Sequence, residues 1–233
     1  MKYAFTLLLL FAIIYGCQNA SNIILRNKIS EAVIDYDITF PYIEADGLTA
    51  SFLPNKMTMH LKGNQYSTKI KTYGGIFKSA NIVDTKERQF TQMLKIFKKK
   101  VTCDYNTTDM RNFIDEFPNF TLIPSTETKE VVGIMCKKAT GVFHDISTPD
   151  ITIYYTNKFK IKDPNWCNPF SEIDGVMLAY EIEQFDTRAR ITAANVTVES
   201  VNDEEIIKEP GYIEVEYAAM KIEFEKIMDS FSI

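Results

Sequence analysis

From residue 34 the chain alternates apolar and polar positions. Ile34, Tyr36, Ile38 and Phe40 fall on one face and Asp35, Asp37 and Thr39 on the other, and a period of two predicts a half-buried strand, ended here by Pro41. Met57, Met59 and Leu61 alternate with Thr58, His60 and Lys62. Gly63-Asn64 then supplies turn chemistry before Tyr66, Thr68 and Ile70, which predicts a hairpin. Further strands are predicted at 75–84, 88–94, 97–105, 130–143, 151–159, 176–183 and 188–198, punctuated by Gly74-Gly75, Asp84 to Glu87 and Ser147 to Pro149. Strands at this spacing imply an antiparallel sheet, strongly curved.

Two helices interrupt the strand pattern. Thr107-Thr108-Asp109 offers capping side chains for a short helix through Glu116, stopped before Pro118. At the C-terminus Tyr217, Met220, Phe224, Ile227 and Phe231 recur at steps of three and four, with Glu216, Glu223, Glu225 and Lys226 mainly outside that stripe. The stripe must be buried, and the sheet is the surface at hand. The expected fold is mainly β (α+β): a curved antiparallel sheet in an open half-barrel, a short central helix, and a C-terminal helix packed on it.

The first sixteen residues follow a different logic. A basic start at Lys2, an apolar run from Phe5 to Ile14 and small Gly16 have the layout of a secretory signal. The run is too short to span a bilayer, which takes about 20 apolar residues in helical form. Ile14-Tyr15-Gly16-Cys17 resembles the lipobox of bacterial lipoproteins, in which the cysteine thiol is diacylglycerylated and the new amino terminus acylated after cleavage. The resemblance implies residues 1–16 as a signal peptide, Cys17 as the lipid attachment site and the membrane as a partner. The polar stretch 17–28 reads as a tether and 29–233 as one β-rich domain. The alternative is an ordinary cleaved signal that leaves Cys17 a free or disulfide-bonded cysteine. Some lipoprotein groups carry acidic residues just after the anchor that send them to the cell surface; none follows Cys17, so the resemblance implies the periplasmic side of the outer membrane rather than the cell surface.

Composition supports a packed, non-nucleic-acid-binding domain. Hydrophobic residues make up 45% of the chain and aromatics 12%, above what a disordered segment carries. Removing the leader, whose single charged side chain is Lys2, takes the formal net charge from −5 to −6, the wrong sign for phosphate contacts. The one dense basic run, Lys98 to Lys100, reads as a solvated edge or turn.

Candidate chemistry is sparse. His60 and His144 are the two histidines, and neither sits in a zinc or nucleophile motif. Met57, Met59 and His60 are soft-metal ligand types, but strand geometry sends His60 to the face opposite the methionines. No metal, cofactor or catalytic residue is therefore assigned. Cys103, Cys136 and Cys167 remain after Cys17, and in an oxidising compartment two of the three can pair, with three pairings open.

Four phrases resemble the GLPGLI family and a related group of uncharacterised envelope lipoproteins: Met57 to Gly63, Thr128 to Ala139, Ile173 to Leu178 and Pro210-Gly211-Tyr212. Proteins of that layout are similar to LolA-like envelope proteins, in which a curved sheet wraps around helices and can leave an apolar cavity. The resemblance implies a non-enzymatic envelope protein that binds a lipid or other apolar ligand. The alternatives are a structural lipoprotein that meets an envelope protein partner through its surface, and an enzyme of unrecognised type.

Overall fold

The computed structural model describes residues 28–43, 53–72, 77–184 and 187–231, with side chains through 227. The leader, Cys17, most of the tether, Gly74-Gly75 and the side chain of Phe231 lie outside them. The strands are β1 (Glu31–Thr39), β2 (Lys56–Lys62), β3 (Gln65–Lys71), β4 (Phe77–Asp84), β5 (Gln89–Ile96), β6 (Lys99–Asp104), β7 (Phe120–Val131), β8 (Ile134–Phe143), β9 (Ile151–Thr156), β10 (Val176–Gln184), β11 (Thr187–Thr197) and β12 (Ile213–Glu214); helix α1 is Thr107–Ile114 and α2 is Tyr217–Phe231. All twelve strands form one curved sheet in the order β12-β6-β5-β4-β3-β2-β1-β11-β10-β9-β8-β7, not closed into a barrel. Neighbours are antiparallel except β12, which runs parallel to β6.

The alternation read from the sequence sets which face is inside. In β1 Ala32, Ile34, Tyr36 and Ile38 are all buried, and across the register Ile34 faces Met59 while Tyr36 faces Met57. These residues join Leu61, Tyr66, Val83 and Phe90 in the main core on the concave face. The convex face of β1 to β3 is covered by the segment that follows β11. There Glu31 Oε2 accepts from the Val201 amide at 2.8 Å, Ser67 Oγ donates to the Glu205 carbonyl at 2.6 Å, and Lys69 Nζ pairs with Glu205 at 2.7 Å.

Three expectations are corrected. The segment 130–143 is not one strand: β7 ends at Val131 and β8 starts at Ile134. Val132 and Gly133 turn the chain with φ of 45° and 78°, the two positive values of a type I′ two-residue hairpin. Strand β7, from Phe120, is missing from the expected elements. It lies on the sheet edge, interrupted by a bulge between Pro124 and Thr128, and an edge is where a strand tolerates proline. The cap of α1 is Asn106 rather than Thr107: its Oδ1 accepts from the amides of Thr108 and Asp109 at 2.8 and 3.0 Å, and the Asp109 carboxylate accepts from the Asn106 amide at 3.2 Å. This reciprocal arrangement satisfies donors that a helix start otherwise leaves open.

Both helices pack as their apolar faces demand. From α1, Met110 is buried and Phe113 stacks on Phe90 with ring centroids 5.7 Å apart. From α2, Met220 is fully buried against Leu94, Val101 and Cys103 of β5 and β6. The Tyr217 hydroxyl donates to Glu116, Lys221 pairs with Glu116 at 2.8 Å, and Lys99 pairs with Glu223 at 2.8 Å. The C-terminal helix thus covers the sheet at its β5–β6 end and is tied to the segment that follows α1.

Candidate functional site

The concave face is not packed solid. A cavity of about 260 Å³ lies between the inner faces of β1 to β5, β10 and β11 on one side and the chain after α1, the loop 164–170 and Phe224 of α2 on the other. Its walls are mostly apolar, with Met57, Met59, Ile70, Val83, Phe113 and Phe170 among them. The volume lies near the low edge of small-molecule pockets. A wider, more open depression of about 660 Å³ lies outside α1 and carries Arg88, Arg111 and Asp115.

Loop 164–170 forms one wall of the cavity, and hydrogen bonds from two side chains hold it. Asn165, 5% exposed, donates from Nδ2 to the carbonyls of Ile173 and Gly175 at 2.8 and 2.9 Å. Tyr66 reaches from β3 to donate to the Pro164 carbonyl at 2.8 Å, with Cys167 Sγ at 3.6 Å. Gly175, immediately before β10, has φ of 155°, and a Cβ there would sit 2.6 Å from the Thr156 carbonyl oxygen. The glycine in the phrase Ile173 to Leu178 is therefore required sterically, by the close approach of β9.

A polar network crosses this apolar floor. Pairing register sets Met59, Thr68, Asn81, Gln92 and Cys103 in one row across β2 to β6. Gln92 is 6% exposed; the Tyr105 hydroxyl donates to its Oε1 at 2.6 Å, and its Nε2 donates to Asn81 Oδ1 at 3.3 Å. Thr68, Ser79 and Asn81 all face the cavity. None of them was singled out from the sequence as a site residue. The available signal was β4 itself, where the inward positions Ser79 and Asn81 are polar while outward Ala80 and Ile82 are apolar.

The ionisable groups of the cavity are held neutral. Burial pushes the Cys167 thiol up to about 12, and it raises the phenols of Tyr36, Tyr66 and Tyr180 well above their ordinary value. Among the described residues, no charged side chain lines it.

Cys103, Cys136 and Cys167 are each unpaired and buried in the structure. Each is buried in its own setting. Cys103 packs against α2, Cys136 sits in the main core on β8, and Cys167 lies beneath the Tyr66 hydroxyl. Burial raises Cys103 and Cys136 to about 11. Met57 and Met59 point into the core, whereas His60 faces out, with Nε2 3.7 Å from Glu205. His144 lies beside the Thr121 hydroxyl at 3.1 Å. Among the described residues no group of three or more His, Cys, Asp or Glu is placed to hold a metal ion, and no helix is long and apolar enough to cross a membrane.

No family model matches this chain. No curated protein sequence matches it either. Solved structures similar to it include an uncharacterised conserved protein from Thermus thermophilus, with a TM-score of 0.45 and 7% identity over 86% of this chain and 99% of that one. Others are a beta-barrel-like protein of the domain of unknown function DUF1849 from Brucella abortus, with a TM-score of 0.37 and 10% identity over 75% and 100%, and LprF from Mycobacterium bovis, with 0.29 and 13% over 83% of this chain and 95% of that one. Scores this low transfer nothing to the present chain, so its function has to be read from its own cavity.

Proposed function

We propose that this is a non-enzymatic, lipid-anchored envelope protein that holds a lipid or other apolar chain in the concave cavity. The observation that carries the reading is the cavity itself: an apolar, partly open space kept between sheet, loop and helices where a core would otherwise close. Its walls are bulky residues that could fill it, and protein interiors otherwise leave few voids larger than a water molecule. Each methylene moved from water into such a space contributes about 0.8 kcal/mol, so a single acyl segment gives useful affinity without any charged contact. Catalysis finds little support in the same space, because the hydroxyls of Thr68 and Ser79 have no histidine beside them and Cys167 stays protonated. The leader and Cys17 supply the anchor in this reading, with the periplasmic side of the outer membrane as the location.

The test is native mass spectrometry of the full chain carrying Cys17→Ser, purified from a bacterial host, followed by solvent extraction. A stoichiometric co-purifying lipid, or saturable uptake of a fluorescent acyl probe that Val83→Trp abolishes, is the expected result. A ligand-free protein that takes up no acyl probe would overturn the reading and leave a protein that acts through its surface.

A further inference from the structure

The cavity's polar groups have a direction. The Tyr105 hydroxyl donates to Gln92 Oε1 at 2.6 Å and Gln92 Nε2 donates to Asn81 Oδ1 at 3.3 Å, so the chain of bonds runs toward the cavity and ends on an amide. With its oxygen engaged, Asn81 presents Nδ2, a donor that has no partner among the described residues, and the hydroxyls of Thr68 and Ser79 are likewise without one. Thr68 and Asn81 are direct cross-strand neighbours, and Ser79 lies two positions along the same strand face. A cluster ending in donors calls for an acceptor on the ligand. No Lys or Arg among the described residues lines the space to balance a negative charge, and burying an ionised carboxylate without a partner costs several kcal/mol.

We infer that the cavity, if it binds acyl chains as proposed above, selects those whose carbonyl is in an uncharged ester or amide linkage, with Asn81 Nδ2 donating to that carbonyl and Thr68 and Ser79 beside it. A free fatty acid carries its carbonyl as a carboxylate at neutral pH and is disfavoured. An alkyl ether fills the same apolar space but offers a poorer acceptor.

Three probes of one chain length separate these ideas: a monoacylglycerol, the matching alkylglycerol ether and the free fatty acid, each competed against a fluorescent acyl reporter on the full chain carrying Cys17→Ser at about pH 7.5, where the acid is ionised. The expected order is ester, then ether, then acid. The ester should lead the ether by about five- to ten-fold, the effect of one net hydrogen bond, and the acid by more than about ten-fold. A monoacyl amide should bind like the ester. Asn81→Leu, which removes the donor but keeps the volume, should erase the preference for ester over ether while ether binding stays within about two-fold. The nearly isosteric Asn81→Asp should weaken the ester below the ether. Equal or tighter binding of the acid, or an unchanged ester preference in both variants, would overturn the selection by Asn81 while leaving an apolar-chain cavity standing. Failure of all probes on the folded, unmutated cavity would instead overturn the cavity reading itself.

Discussion

The hydroxyl of Tyr36 on β1 donates a 3.0 Å hydrogen bond to the main-chain carbonyl of Met177 on β10, with β11 lying between the two strands in the sheet. The pairing of β10 with β9 shifts between Met177 and Ala179, and the ladder to β11 begins only at Ala179. Met177 therefore has a carbonyl that lacks a partner on β11, and a phenol from inside the curve supplies one. Tyr36 is 1% exposed, so this bond is made where water cannot substitute for it.

Tyr36→Phe keeps the ring and removes the donor. It should lower stability by about 1–3 kcal/mol, the cost of leaving a buried carbonyl unsatisfied, or roughly 2–4 °C of melting temperature per kcal/mol for a domain of this size. Urea unfolding followed by tyrosine and tryptophan fluorescence measures it, with the slope against denaturant unchanged. A midpoint equal to that of the unmutated protein would mean that the Met177 carbonyl is satisfied by some other group.

The three thiols link stability to pH in a defined sense. Cys103 and Cys136 move from an ordinary 9.0 to about 11, and Cys167 from 9.0 to about 12, all chiefly through burial. Folded-state values above the unfolded ones mean that the unfolded chain releases its protons first. The contribution is therefore fully present below about pH 9 and is lost as pH rises through about 11 to 12. Unfolding midpoints should be level with respect to these thiols up to about pH 9 and fall above it. A Cys17→Ser chain should show no rapidly alkylated thiol at about pH 8 when folded and three when denatured, counted by mass spectrometry. Only one reactive thiol in the denatured, unreduced protein would reveal a disulfide.

Lipid attachment is tested separately from the fold. Cys17→Ser should abolish metabolic labelling by palmitate in a bacterial host and release the chain from acylated retention in the membrane fraction. Labelling equal to that of the native chain would rule out Cys17 as the acylated residue.

Much of the fold was legible because most strands have one wet and one dry face. Ile34 to Phe40 and Met57 to Leu61 could be assigned to the inside from spacing alone, and the stripe Tyr217, Met220 and Phe224 pointed α2 at the sheet. The errors fall where the local signal opposes the structure. Val132 is β-branched and adopts φ of 45°, a region such side chains rarely enter, so Val-Gly did not read as a hairpin turn. Strand β7 carries Pro124 and is largely exposed, which erases its alternation. The cavity itself left no distinct mark: apolar residues that line a space and apolar residues that fill one have the same pattern. The row Thr68, Asn81, Gln92 is spread over three strands, and only the pairing register brings it into line. Even so, the reversed polarity of β4 was in view, and a local breach of pattern of this kind is what a functional site tends to leave.

The bulged edge at β7 bears on how copies of this protein tolerate one another. Twelve residues of strand end the sheet there, and an open strand edge is a template onto which another chain can add. Pro124 offers no amide hydrogen, the register breaks between it and Thr128, and Glu127 is drawn into an ion pair with Lys138 of its own neighbour at 2.9 Å. The opposite edge is occupied by the chain's own β12. A second copy meeting β7 is thus denied a straight, regular seam along which to zip.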